Sequence, residues 1–443
     1  MTIQTDFIQV EHDRMALMRY DTAVILKRFF FVEESLIKSI AGWIPGTAHL
    51  ILKTEYAKIM WQNAKTAEDM RQRVYELRYP SRLMSKEGEE ELIRLVDEAR
   101  NAPNALAFFN SLLMVFMPAL RDAYQEYMDL ADVIGDGPSI RFMNLAIKEK
   151  EDQIAVLELY KDDLFRLYPE QDRIEAKLWV DELKIRLKAI GAISLNKSEA
   201  PLTEDIKSLA NRKEFKVAQD PAREHSFANV RFYWPDIIVD GYPYGEGVQL
   251  QIRSAVSHIN EVWAVEACAA FTYGLSDELG WEFIVDATRW TYDEARHCRM
   301  GYERLTSWGF EKFEIPLGTY IYDAAKDNDP VYRLGMLFFF ETKNINKKPK
   351  RAKKFREYSD TLSEHDMDFD WADETIHAHY GNKWLTKLLE VRGANTDPKI
   401  VRQKCQELVD TIVSSATDDE REEILVLANS MLAKAGELAK KNL

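Results

Sequence analysis

Tyr292-Asp293-Glu294-Ala295-Arg296-His297 decides the fold when it is set beside Ala372-Asp373-Glu374-Thr375-Ile376-His377. Residues i and i+3 share one face of an α-helix, so each glutamate and histidine can bind one metal ion while the glutamate also reaches a second. A single Glu-x-x-His is weak evidence, because short motifs recur by chance. With only 8 histidines in 443 residues, however, Glu-x-x-His occurs at just these two places, each time directly after Asp. The pairing predicts an all-α protein whose acids and imidazoles converge between helices of one bundle.

A two-metal bundle site also needs a carboxylate from each of the other two helices. Glu341 is the acid in the apolar run Leu337-Phe-Phe-Phe-Glu341, where an unpaired carboxylate is costly to bury. It is therefore the third-helix ligand. The remaining helix offers Glu261 and Glu266, which lie about 140° apart around a helix. If the turn falls at 274–280, Glu261 and Glu294 sit about 20 Å on either side of it, and helix length favours Glu261. The spacing agrees, since Glu261 to Glu294 and Glu341 to Glu374 both span 33 residues. Periodicity favours Glu266, on the apolar face with Ile252, Ile259, Trp263 and Ala270. Glu261 leads and Glu266 stays as alternative ligand or supporting acid. Asp293 and Asp373 are expected to receive the second N–H of the ligating imidazoles. His379, two residues past His377, points to another face, and Trp263, Trp290, Tyr292 and Cys298 read as core.

Working outward, apolar residues at helical spacing predict helices over 14–40, 49–77, 104–130, 139–168 and 172–189, the first four forming an up-and-down bundle. Residues 191–247, with Pro201, Pro221, Pro235 and Pro243, read as an interdomain connection. A second block comes next, with helices over 249–273, 281–308, 331–344 and 369–388, and two shorter helices over 398–415 and 418–440. The domain plan is thus 1–190 as a helical bundle without metal motifs, 191–247 as connection, 248–390 as the di-metal bundle and 391–443 as C-terminal helices. The basic run Lys347 to Arg356 reads as a solvated helix start, with docking of an acidic electron-transfer protein as the alternative.

The formal net charge of -15 argues against nucleic acid as partner, because phosphate binding needs clustered basic residues. Cys268, Cys298 and Cys405 form no Cys-x-x-Cys pair, which fits a reducing cytoplasm. Residues 1–13 lack the order of a signal peptide, and the apolar run Leu106 to Leu120 is too short to cross a bilayer. The expectation is a soluble, cytoplasmic protein without a membrane partner.

Two segments carry a family resemblance. His258 to Leu305, with Ala264-Val-Glu266, Trp281-Glu-Phe and Asp293-Glu-Ala-Arg-His297, resembles the ferritin-like DUF455 family, relatives of the tRNA-hydroxylating MiaE-type di-iron proteins. So does Phe340-Glu341 followed by Asp373-Glu374-Thr-Ile-His377-Ala-His-Tyr-Gly-Asn-Lys-Trp384. The resemblance covers about residues 250 to 388. It implies a ferritin-like four-helix bundle with a di-iron or mixed manganese–iron centre on Glu294, His297, Glu341, Glu374 and His377, plus Glu261 or Glu266. The first block has Glu34, Glu55, Glu149 and Glu151 but no Glu-x-x-His, and resembles a degenerate bundle unable to hold that centre.

Such a centre predicts an oxygenase or oxidase that uses O2 as co-substrate on a small organic molecule, with Glu294 and Glu374 as the glutamates that act in turnover. An electron-transfer protein is its natural donor, and a homodimer is compatible with the sequence. The competing expectations are a ferritin- or rubrerythrin-like protein that handles metal or scavenges peroxide, and a metal-free helical scaffold.

Overall fold

Helices α1 (Arg19–Trp43) and α2 (Leu50–Leu77) begin the chain and pack along each other. They are followed by α3 (Glu90–Glu98), α4 (Ala105–Ser111), α5 (Met117–Leu130), α6 (Gly137–Leu167) and α7 (Glu170–Ala189). The computed structural model describes residues 14, 16–195, 214–394 and 397–441, and over these the chain is predominantly helical. The single helix expected over 104–130 is α4 and α5 joined by a π-helical turn at Leu112–Phe116. Pro118 explains it, since its ring cannot accept a regular preceding turn. The helical stretch Ala105–Leu130 contains one window long and apolar enough by composition to cross a membrane, longer than the run expected from Leu106 to Leu120. Its Leu106, Phe108, Phe109, Leu112, Phe116 and Leu120 are instead buried in the first apolar core, as in a core helix of a soluble protein.

The second block comprises α8 (Val248–Ile259), α9 (Val262–Leu279), α10 (Trp281–Ser307), α11 (Tyr320–Ala324), α12 (Pro330–Asn344), α13 (Lys348–Glu357) and α14 (Thr361–Val391). Two further helices, α15 (Pro398–Ser414) and α16 (Asp418–Lys441), close the chain. One helix was expected over 249–273, but the chain breaks at Asn260-Glu261. Asn260, buried, donates to the carbonyls of Val256 and Pro316 and accepts from the amide of Gly318, so its side chain pins the break to the segment 316–318. The expected turn over 274–280 shrinks to Gly280, whose φ of +79° suits glycine.

Helices α9 and α10, α9 and α12, α10 and α14, and α12 and α14 pack in pairs, closing a ring of four. Helix α8 packs on α10 at Gly301, where an added Cβ would fall 2.2 Å from the Ile259 nitrogen and 2.5 Å from the Ala255 oxygen. The backbones therefore touch only because residue 301 is glycine.

Of the expected connection, residues 196–213 lie outside the described residues, as does the leading segment 1–13. Residues 214–247 are bound to both blocks. Phe227, Phe232 and Trp234 enter the second apolar core, and β1 (Ala228–Asn229) pairs in parallel with β2 (Pro316–Leu317). On the other side, Phe215 packs against Trp43 of α1 with centroids 5.3 Å apart. The blocks also share surface directly. Helices α1 and α2 pack on α9 and α10, and Trp61 stacks on Tyr292 with centroids 5.0 Å apart. Val265, Ala269, Trp281, Ile284 and Ala295 belong to the core of the first block.

Gly301→Ala should destabilise the protein by about 1–3 kcal/mol through overpacking, read from denaturant midpoints. Gly436→Ala, where nothing lies within 4 Å, should stabilise by up to about 1 kcal/mol. Equal stability of the two variants would contradict the close approach of α8 and α10.

Candidate metal centre

Glu294 and His297 sit one above the other on α10, and Glu374 and His377 do so on α14, as the i, i+3 spacing requires. All four side chains are buried, and the two imidazoles face each other with ring centroids 5.9 Å apart. Glu341 of α12 and Glu261, at the break before α9, complete the ring of acids. Two sets of ligand atoms result, each lying within 4.8 Å of one another: Glu261, His297, Asp370 and Glu374, and Glu294, Glu341, Glu374 and His377. Glu374 belongs to both sets. Glu294 also approaches both histidines, its oxygens lying 3.1 Å from His377 Nδ1 and 3.7 Å from His297 Nδ1.

The imidazoles are oriented from behind, and the supporting acids cross over. His297 Nε2 lies 3.2 Å from Asp373, the aspartate of the other motif, while His377 Nε2 lies 3.4 Å from Asp293. Arg289 pairs with Asp293 at 2.7 Å, and Arg296 bridges Asp293 and Asp373. Burial works against a charged Asp293, but His377 and then Arg289 hold it below the ordinary carboxylate range. Each aspartate is placed to accept a hydrogen bond from Nε2 of the opposite imidazole, which leaves Nδ1 free to bind a metal. Both Nδ1 atoms are buried and face carboxylate oxygens, His297 at 3.1 Å from Glu261 Oε2 and His377 at 3.1 Å from Glu294, without a hydrogen bond of regular geometry. Trp290 Nε1 donates to Glu294 at 3.0 Å, fixing that carboxylate.

The charges in the cluster are strongly coupled. Burial disfavours a charged Glu294, yet the two imidazoles beside it, His297 and His377, hold it down at about 2. Burial and then the charge of Glu294 push Glu374 up to about 8. Burial works against a protonated His377, but its bonds to Asp293 and Glu294 raise it to about 9. Asp370 is held well below the ordinary carboxylate range, against burial, by Lys348, His297 and His258. Protons and one ammonium thus offset the negative charge that a pair of cations would otherwise offset.

The remaining expectations divide. Glu266 is not in the cluster. It is fully buried on the opposite face of α9, where Lys53 of α2 and Arg223 of the connecting segment clamp it. The break at Asn260-Glu261 is the physical reason, because it releases Glu261 from the helical register that set the two acids against each other. His379 is exposed, Trp263 lines a cavity beside the cluster, and Cys298 is a buried free thiol. Two participants were not foreseen. Asp370 lies one turn before Glu374, so i, i+4 spacing could have found it. Lys348, assigned to a solvated basic run, is buried, and its Nζ reaches Asp370 and, at 2.7 Å, Glu374.

That cavity, of about 300 Å3, opens onto Glu261, Glu294, Glu341, Asp370 and Glu374. It is lined further by Trp263, Phe340 and Tyr320 and by four cations, the buried Arg253, the half-buried Arg351 and the exposed Lys343 and Lys347.

Residues 198–421 match the family model described as "Protein of unknown function (DUF455)". No curated protein matches, and no solved structure does.

Glu266→Gln should cost about 3–5 kcal/mol in unfolding free energy, because it leaves Lys53 and Arg223 buried without their anion, and should not alter metal content. Asp293→Asn or Asp373→Asn should lower metal affinity about 10–100-fold with the fold retained, checked by competition with a chelator. Wild-type affinity in both would remove the aspartates from the centre.

Proposed function

The chain belongs to the DUF455 family, whose description assigns no activity, and from that membership together with the acidic cluster we propose a ferritin-like di-iron oxygenase or oxidase acting on a small organic molecule. One observation carries the reading. Two buried imidazole Nδ1 atoms lack any hydrogen-bond donor and face a shared set of carboxylates, while their Nε2 atoms are held by aspartates. A donor set of two imidazoles and several carboxylates suits iron, and a mixed manganese–iron pair equally.

In this reading Glu261, His297, Asp370 and Glu374 would hold one iron and Glu294, Glu341, Glu374 and His377 the other. When bound, such a pair supplies the electrons that reduce O2 while the organic substrate is oxidised. The protein does the rest. Trp290 and the two aspartates keep Glu294 and the imidazoles from turning, so the donor set is preorganised. Trp263 and Phe340 give the cavity an apolar surface beside the carboxylates. Lys348 Nζ carries protons within hydrogen-bond distance of Glu374 Oε1 and is placed to deliver one there. The three buried, unpaired cysteines support the expected reducing, cytoplasmic setting and offer no cysteine-ligated iron site of the rubrerythrin kind.

One observation favours a metal-free scaffold instead: the Lys348 ammonium already pairs with Asp370 and Glu374. Ion pairing alone is a weak reason to bury so many carboxylates, given the desolvation cost, and Lys348 leaves both Nδ1 atoms without a partner.

Anaerobic loading with iron(II) should give about two irons per chain, and admission of O2 should consume it rapidly. Glu374→Ala should abolish the fast O2 uptake, because it removes the carboxylate common to both ligand sets. A full-length, folded protein that binds no iron above the level of a His297→Ala/His377→Ala variant would leave the scaffold reading standing.

A further inference from the structure

Cations crowd the mouth of the cavity although the chain as a whole is strongly acidic. Their pairing is unusual. Arg253 is buried, at 6 % exposure, and its Nε is held by both oxygens of Asp236 at 3.0–3.1 Å. Its Nη1 has no hydrogen-bond partner. Neither have the Ser254 and Tyr244 hydroxyls, which line the same cavity and are likewise shut off from solvent. Three donors of unlike chemistry are therefore left open in one place, and native proteins rarely leave such groups unsatisfied without a ligand or water to take them.

Lys347 and Arg351 stand on successive turns beside this group. Arg351 lies over the Tyr244 ring at 4.0 Å, and the Arg253 guanidinium lies over the same ring at 4.8 Å. Tyr244 thus contacts two guanidiniums and keeps like charges close together. Lys347 is pulled below the ordinary lysine range by burial and then by the charges of Arg351 and Lys343, with Asp236 opposing. Acidic groups at the mouth are few: Asp236 is engaged by Arg253, and Glu246 lies by Lys354. The same cavity is lined by Trp263, which packs against Phe340 at 5.3 Å between centroids, and by the acidic cluster.

We infer that the cavity binds a small organic anion, its terminal phosphate or carboxylate held by Arg253, Lys347 and Arg351 and its apolar part lying along Trp263 and Phe340 against the acidic cluster. This rests on the proposed function for what happens to the apolar end, but the anion site is defined without it. A guanidinium with a free Nη, flanked by a hydroxyl and a second cation, matches the geometry and charge of either headgroup. The cavity volume holds a ligand of modest size, and the cationic mouth draws an anion toward a site that the chain's overall charge would otherwise repel.

The test is calorimetric titration of the full-length protein, as purified and after iron removal, with phenyl phosphate, benzoate and the uncharged benzyl alcohol. Both anions, or one of them, should bind to both forms while benzyl alcohol does not, and whichever anion is preferred names the headgroup. Lys347→Gln/Arg351→Gln, at the solvent-facing rim, should weaken the preferred anion at least about tenfold, as loss of charged hydrogen bonds does. Arg253→Gln should do the same if it folds. Equal binding of the anions and benzyl alcohol, an unchanged affinity in the rim double variant, or binding of a short RNA with none of the small anions would overturn the inference. Anion binding by protein that takes up no iron would refute the di-iron reading and leave this one intact.

Discussion

A carboxylate cannot be buried as a bare charge; it must meet a cation, a proton or a set of donors. The interior of this protein meets that constraint in several ways. In the first block Glu33 is fully buried, pairs with Lys150 at 2.7 Å and accepts from Tyr124 at 2.6 Å. Between the blocks Glu266 is clamped by Lys53 and Arg223. In both places the cation is a side chain. The ring formed by α9, α10, α12 and α14 gathers Glu294, Glu341, Asp370 and Glu374 around two histidines with Lys348 as the ammonium in contact. There each imidazole turns Nδ1 toward the shared carboxylates and Nε2 toward the aspartate of the other motif.

The crossing of the aspartates ties the two motifs into one unit. Each Asp-Glu-x-x-His places its histidine on its own helix but supports the histidine of the other, so neither half of the centre is positioned independently. Arg296, touching both aspartates, joins the two supports. The stacking of Trp61 of α2 on Tyr292 of α10 sets the first block directly against the helix that carries Glu294 and His297.

Much of this was legible in the sequence, for identifiable reasons. Helical spacing carries the helices and the i, i+3 ligand pairs, because a helix turns the same way wherever it occurs. Glu341 was visible as an acid inside an apolar run. Glu261 and Glu266 could not be separated by geometry, because the answer turned on a helix break set by Asn260 bonding to Pro316 and Gly318, far away in the chain. Lys348 was hidden by its basic neighbours: composition marked the run as solvated, and only the packing of α13 on α14 shows one lysine turned inward.

The central claim is that one cation pair can be shared between His297 and His377. A diffraction map computed from anomalous differences at the iron edge, on crystals of iron-loaded protein, tests it most directly. The account predicts two peaks about 3.5–4 Å apart, one beside each Nδ1, with Glu374 in contact with both. A single peak, or iron placed only at the surface while Lys348 keeps its pairing with Asp370 and Glu374, would contradict it.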